Sequence, residues 1–225
     1  MKKLIVIPAR GGSKGIPKKN ICPVGGKPLL EYTLDVIREA RLPDTDVAVS
    51  TDSEEIMAVA SHYKEVFLIT RPAEISGDRA STEDALLHAA DVLEKSGGRQ
   101  YEAIMTLQAT SPLRKAETLR AFTEAFERQY PAIDALVSLN ENRSDFWIKT
   151  KGGRFERICK DAPRRRQDRT PLFVENSAYY ITGTEALKKT HSVLGTKMDG
   201  FVISDVEAID INEPIDLTIV ECFLK

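Results

Sequence analysis

The feature that most constrains this chain is a rhythm. From the third residue to about residue 140, short apolar runs alternate with longer segments of helical period. KLIVIP (3–8) is a continuous apolar strand. A glycine-rich loop follows, then PLLEYTLDVIREA (28–40), which places Leu30, Leu34 and Ile37 on one helical face. The pattern repeats through strand DVAVST (46–51), helix SEEIMAVASHY (53–63) with Ser53 as N-cap, and strand VFLIT (66–70). Helix TEDALLHAADVLEKSGG (82–98) follows, with Gly97 as its stop, then strand YEAIMTLQ (101–108), helix KAETLRAFTEAFERQ (115–129) and strand DALVSL (134–139). Continuous apolar strands belong to sheets covered on both faces. The order strand–helix–strand predicts a parallel sheet. The expected fold class is therefore α/β, a doubly wound, mostly parallel Rossmann-like sheet. Such sheets bind ligands beyond the carboxyl ends of their strands, which directs attention to loops 9–20, 51–53, 70–82 and 108–114.

The rhythm breaks after residue 140. DFWIKT, RFERICK and PLFVENSAYYIT read as antiparallel strands around the basic segment PRRRQDR. We read this part as an insertion serving substrate closure or dimer contact, before alternation resumes with helix GTEALKKT, strand GFVIS and terminal helix EPIDLTIVECFLK. The chain has 225 residues, enough for one domain carrying such an insertion. A net charge of -2 gives no general basic field for nucleic acid, so any anion affinity must be local. No apolar run approaches the ~20 residues of a membrane span, and the opening MKKLIVIPARGG stops short of a signal peptide at Pro8 and Arg10. Three scattered cysteines fit a reduced cytoplasmic protein.

The stretch IPARGGSKGIPKKN (7–20) gathers glycines and cations directly after the first strand. Glycines let backbone N–H groups approach an anion, and Arg10, Lys14, Lys18 and Lys19 supply charge. The combination suits a polyphosphate, although neither GxxxxGK[ST] nor GxGxxG is present. The plainer reading is a solvated turn with scattered lysines.

RGGSKGIPKKN after a first strand closely resembles the N-terminal signature of the acylneuraminate cytidylyltransferases, the CMP-sialic acid synthetases. STDSEEI (50–56), RPAEISGDRAST (71–82), LQATSPLR (107–114), RRQDRTP (165–171), ENSAYYI (175–181) and AIDINEPIDL (208–217) match in order, so the resemblance spans nearly the whole chain. It implies a nucleotidyltransferase-type sheet in one domain, 1–225, with 141–181 as a dimerisation and sugar-site insertion. It also implies a cytoplasmic homodimer that joins CTP to a nine-carbon 2-keto sugar acid, giving CMP-sugar and pyrophosphate for surface polysaccharide biosynthesis. With no appended phosphatase-like or esterase-like domain, a single activity is expected. Neither nucleic acid nor membrane is an expected partner.

The resemblance also implies roles. Arg10 and Lys19 would face the phosphates with Asn20 assisting, on a nucleotide loop that includes Ala9, Gly11, Gly12, Ser13 and Lys14. Arg71, Ala80, Ser81 and Thr82 would surround cytosine and ribose; read alone, they are an Arg-Pro turn and a helix cap, and both can hold. Gln108, Thr110 and Ser111 would meet the sugar acid, although Thr110-Ser111-Pro112 also reads as a helix start. Ala109 stands where many relatives carry proline. Arg166, in the most basic run of the chain, would take the sugar carboxylate bidentately, in trans from the partner subunit. Tyr180 would join it, or be a core strand residue.

Relatives carry Asp-x-Asp as a Mg²⁺ (or Mn²⁺) site, and this chain reads Asp210-Ile211-Asn212. Asp210 is the expected ligand and Asn212 a weaker one, with Asp216 left to a helix first turn. No histidine falls in a matched motif, so no general base is evident. The rivals are a 3-deoxy-manno-octulosonate cytidylyltransferase, a sugar-1-phosphate nucleotidyltransferase and a non-catalytic CTP-binding protein.

Overall fold

The computed structural model describes residues 1–13, 15–78 and 80–224. Strand β1 (Lys3–Pro8) carries no solvent-facing side chain between Leu4 and Ile7. Its side chains alternate between two cores: Leu4 and Val6 enter one, Ile5 and Ile7 the other. That is the physical meaning of the unbroken apolar run.

After the glycine loop, β2 (Pro23–Val24) and β3 (Lys27–Pro28) form a small antiparallel pair. Gly25 and Gly26 make its turn at φ +56° and +83°, backbone that favours glycine. Helix α1 (Leu29–Ala40) buries Leu30, Leu34 and Ile37, the three residues of its expected face. Then come β4 (Thr45–Thr51), α2 (Glu54–Ala60) and β5 (Val66–Thr70). Ser53 caps α2, its Oγ accepting from the Ile56 N–H at 3.5 Å. Helix α3 (Thr82–Gly97) starts from a reciprocal capping box between Ser81 and Asp84. It stops at Gly98, φ +62°, one residue beyond the expected Gly97.

Next are β6 (Ala103–Thr106) and α4 (Ala116–Gln129). Helix α4 begins at its N-cap Lys115, so Thr110–Pro112 is a turn before the helix and not its first residues. The chain continues through β7 (Ala135–Asn142), β8 (Trp147–Lys149), β9 (Phe155–Arg157), β10 (Leu172–Gly183), α5 (Thr184–Thr190), β11 (Met198–Val202) and α6 (Pro214–Phe223).

Seven strands form one sheet in the order β11-β7-β10-β6-β1-β4-β5. All neighbours run parallel except β10, which is antiparallel to β6 and β7. One face is covered by α1, α2 and α4 around Phe122, Phe126 and Tyr179, and the other by α3 and α5 around Leu86, Leu93 and Leu187. Burying each such side chain contributes about 1.5–3 kcal/mol.

The stretch 141–181, read as one insertion, divides in two. Strands β8 and β9 pair only with each other and expose Trp147, Ile148 and Phe155. Strand β10 instead re-enters the central sheet after an irregularity between Glu175 and Tyr180, with Tyr180 and Ile181 paired to both β6 and β7. Sequence patterning shows antiparallel strands here, but not that the last one joins the parallel sheet. The last strand also sits two residues earlier than GFVIS, since its register against β7 begins at Met198 with Ala135.

A third cluster matters for function. Ile16 of the glycine loop packs with Val24, Leu29, Ile211 and Val220. The loop is thus tied by apolar contact to α6 and to the segment 209–211, and is not a free solvated turn.

Candidate active site

Beyond the carboxyl ends of β1, β4, β5 and β6 lies a cavity of about 490 Å³. Four segments line it: Arg10, Ser13, Gly15, Lys19 and Asn20; Arg71 with Gly77, Asp78, Ala80, Ser81 and Thr82; Gln108 and Thr110; and Asn212 with Glu213.

The first loop is built by its own polar contacts. Asn20 Nδ2 donates to the Arg10 carbonyl at 3.0 Å, and the Gly11 N–H donates to Asp52 Oδ1 at 2.7 Å. Lys18, at φ 51°, turns outward to Glu55 (2.6 Å), while Lys19 Nζ donates to the Ile211 carbonyl at 2.8 Å. One of the two adjacent lysines therefore faces water and the other crosses to the opposite wall. Gly15 permits the closest approach: a Cβ there would sit 2.9 Å from the Asn212 carbonyl oxygen. Ala9 is buried, its N–H donating to the Ser50 carbonyl, and Gly12 is exposed in open space. Neither lines the cavity. Lys14 lies outside the described residues.

Two arginines put charge in the cavity. Arg10 Nη1 meets Asp78 Oδ1 at 2.9 Å. Arg71 is 7% exposed and donates to Ser50 Oγ (3.2 Å) and the Ser50 carbonyl (2.6 Å). Burial lowers its pKa, Asp52 opposes that, and Arg10 adds to it. Two cations in one cavity favour an anionic ligand there.

Ser81 is both a helix cap and part of the cavity wall. Its Oγ accepts from the Asp84 N–H at 3.0 Å as helix cap, and its side of the α3 terminus faces the cavity with Thr82 and Ala80. The positive end of a 16-residue helix thus points at the site. His191, at the C-cap of α5, stands 3.1 Å from Asp84 Oδ1 and 3.5 Å from Ser81 Oγ. Asp84 is held below the ordinary carboxylate range, first by Ser81 and, against the opposing effect of burial, by His191 as well.

At the far side, Gln108 and Thr110 reach the lining. The hydroxyls of Thr110 and Ser111 are buried without a hydrogen-bond partner among the described residues. Ser111 lies behind the lining, 1% exposed. Tyr180 is buried in β10, and its hydroxyl donates to Glu175 Oε1 at 2.7 Å; burial and then Glu175 push its pKa up. Arg166 lies in an exposed one-turn helix (Arg166–Asp168) outside the cavity of its own chain.

Asp210 and Asn212 interact with each other. Asn212 Nδ2 donates to Asp210 Oδ2 at 2.8 Å, while Asp210 Oδ1 is buried with no hydrogen-bond partner among the described residues. Asp216 is used by the α6 terminus, accepting from the N–H groups of Asn212 (2.8 Å) and Glu213 (2.7 Å), as its place in a first turn implied.

Several residues escaped sequence reasoning. Asp52 and Arg114 sit inside matched motifs, but their partners, the Gly11 N–H and the Gln108 carbonyl, are backbone groups that no pattern displays. Glu207 is 4% exposed and accepts from the Lys115 N–H and the Tyr179 hydroxyl. Nothing in the sequence signals that role, because those partners lie 92 and 28 residues away.

A cytidylyltransferase family model matches residues 4–191. The chain belongs to the cytidylyltransferase family. Among its relatives, the N-acylneuraminate cytidylyltransferase of Streptococcus agalactiae serotype III (strain NEM316) is 30% identical over 217 residues, covering 94% of this chain and 51% of that protein. The chain thus spans about half the length of that relative. The pseudaminic acid cytidylyltransferase of Campylobacter jejuni subsp. jejuni serotype O:23/36 (strain 81-176) is 30% identical over 237 residues, covering all of this chain and 97% of that protein. A solved CMP:2-keto-3-deoxy-manno-octonic acid synthetase complexed with CTP superposes with a TM-score of 0.68 at 16% identity, covering 100% of this chain and 98% of that one. That likeness shows the shared α/β fold. No described helix is long and apolar enough to cross a membrane.

Proposed function

We propose that this chain is a cytoplasmic cytidylyltransferase that joins CTP to a nine-carbon 2-keto sugar acid and releases pyrophosphate. One observation carries the reading. A single cavity unites the cationic glycine loop, the α3 terminus with Ser81 and Thr82, and Gln108 with Thr110 on the opposite wall. A nucleotide binder alone has no use for the last group, and relatives named for neuraminic and pseudaminic acids make a sugar acid its fitting occupant.

In the proposed reaction the sugar's anomeric hydroxyl oxygen attacks the α-phosphorus of CTP. The bond from that phosphorus to the bridging oxygen breaks, pyrophosphate leaves, and the hydroxyl proton passes to solvent. Arg10 and Lys19 hold the charge that builds on the α-phosphoryl oxygens and the departing pyrophosphate, and Arg71 stands with the residues around the nucleoside. Ser81 and Thr82 read the nucleoside, and Gln108 and Thr110 orient the sugar.

The donors at 210–212 fit Mg²⁺ or Mn²⁺. Asp210 offers a buried oxygen with no other partner among the described residues. Asn212, whose Nδ2 donates to Asp210, lines the cavity beside it. Such ions bind through one or two carboxylates plus substrate phosphates, and when bound supply positive charge to the triphosphate. Asp210 would hold the ion, Asn212 assisting.

A homodimer completes the reading. Strands β8 and β9 expose Trp147, Ile148 and Phe155 beside the Arg166 segment, which suits an arm that carries Arg166 to a partner's sugar carboxylate.

The test is pyrophosphate release with CTP and Mg²⁺ across free N-acetylneuraminate, pseudaminate, legionaminate and ketodeoxynononate, with ATP, GTP and UTP as controls. Release with CTP and one nine-carbon acid is expected. Activity only with 3-deoxy-manno-octulosonate or a sugar phosphate overturns the substrate assignment, and CTP binding without any release overturns the enzymatic one.

A further inference from the structure

Arg114 has no part in the reaction as derived above, yet it is one of the most buried charged residues in the protein, 4% exposed. Its guanidinium spans three segments. Nη2 donates to the Gln108 carbonyl at 2.5 Å, Nη1 to Thr33 Oγ1 at 3.0 Å, and Nε to the Ala178 carbonyl at 2.7 Å. Thr33 Oγ1, 1% exposed on α1, in turn donates to the same Gln108 carbonyl at 3.4 Å. The guanidinium also lies 5.6 Å from the Tyr179 ring centroid.

All three of these acceptors are neutral. Burial pulls the Arg114 pKa down to about 10, with Tyr179, Asp210 and Glu207 opposing, so it stays charged near neutrality. A buried cation without a directly hydrogen-bonded carboxylate costs stability that an apolar side chain of similar volume would not. Its distinctive contribution is geometric: a rigid planar fork reaching acceptors on three elements at once. One acceptor belongs to the cavity-lining turn at Gln108, and another is Ala178, two residues before Tyr180 in β10. The third ties both to α1.

We propose that Arg114 and Thr33 are positioning residues for sugar-acid recognition. Arg114 clamps the Gln108 turn to β10, and Thr33 locks that clamp to α1, so that the Gln108 amide is presented at a fixed place in the cavity. The inference rests on Gln108 holding the sugar acid, as proposed above. It assigns to this buried pair an effect on the sugar and not on CTP, whose loop and helix terminus lie on other segments.

The test is steady-state pyrophosphate release, varying CTP and, separately, the free nine-carbon acid that the panel selects. Thr33→Val keeps the side-chain shape and removes the hydroxyl; the sugar KM should rise about fivefold with the CTP KM unchanged. Arg114→Lys keeps the charge but loses the fork; the sugar KM should rise about tenfold or more, so that charge alone does not rescue. A merely structural role would move both KM values and the Tm together, and that result overturns the proposal. So does an unchanged sugar KM in folded variants. If Arg114→Lys does not fold, Thr33→Val decides by itself. Gln108→Ala separates the two levels. If it leaves the sugar KM unchanged, the site assignment fails and this inference with it. If it raises the sugar KM while Thr33→Val and Arg114→Lys do not, the positioning inference alone fails.

Discussion

Asp78 occupies the guanidinium that the proposed reading assigns to the triphosphate. Its carboxylate meets Arg10 Nη1 at 2.9 Å inside the cavity, where a phosphate oxygen would offer Arg10 the same charge-assisted hydrogen bond. Both side chains are partly exposed, 34% and 54%, so the pair is worth at most ~1 kcal/mol. A triphosphate with several negative oxygens outcompetes it, at a cost. Asp78→Asn should therefore lower the CTP KM by up to about fivefold, read from initial rates at saturating sugar acid. A rise in that KM would mean that Asp78 assists binding. At this scale much of the site was legible. Arg10, Lys19, Asn20, Arg71, Ser81, Thr82, Gln108, Thr110 and Asn212 come from four sequence stretches, and all line one cavity. Which of Lys18 and Lys19 faces it was not legible, because that depends on the left-handed backbone at Lys18 and on Glu55 waiting outside.

The elements transmit stability to the site through their ends. The α3 terminus is held by Ser81, Asp84 and His191, and the same Ser81 faces the cavity. Asp84 is kept below the ordinary carboxylate range by Ser81 and His191. Asp134 is likewise depressed: burial opposes, but Thr196 and Lys197 prevail. In Asp35, burial is again outweighed, by Lys27 and Tyr63. Each carboxylate binds its proton more weakly folded than unfolded. The stability they contribute is complete above the unfolded value of about 4 and is lost as pH falls through the lower folded values. Thermal melts should thus show Tm nearly flat from neutrality down to about pH 5 in these groups' contribution, then falling. Asp84→Asn should flatten part of that fall and cost up to about 1 kcal/mol at neutral pH, through loss of the negative charge beside the α3 terminus and His191. A melt curve unchanged by the substitution would remove Asp84 from the account. The helix stop at Gly98 and the turn at 110–112 show where local patterns mislead by a residue or a turn: several residues there satisfy the same propensity, and packing selects one.

For the whole molecule, the apolar arm of β8 and β9 is the part whose stability is least explained by its own chain. Trp147 is 52% and Phe155 65% exposed. If a homodimer carries Arg166 in trans, the single variants Arg166→Ala and Gln108→Ala should each lose most activity at low sugar-acid concentration through a raised sugar KM. Mixing and refolding the two together should restore activity, because heterodimers carry one intact site. Light scattering at the monomer mass, or no restoration on mixing, would defeat that arrangement. The sequence by itself determined the α/β class, the order of the first strands and helices, and the polar segments that meet at the site. It did so because strand and helix periods, glycine-bearing loops and caps are local properties written over a few consecutive residues. Only the tertiary structure decided that β10 turns against its neighbours in the parallel sheet, that Ile16 anchors the glycine loop on Ile211 and Val220, and that Arg114 joins Gln108, Thr33 and Ala178. Most of those contacts join residues from about sixty to about two hundred positions apart. Their partners are often backbone carbonyls, which every residue carries and no sequence distinguishes.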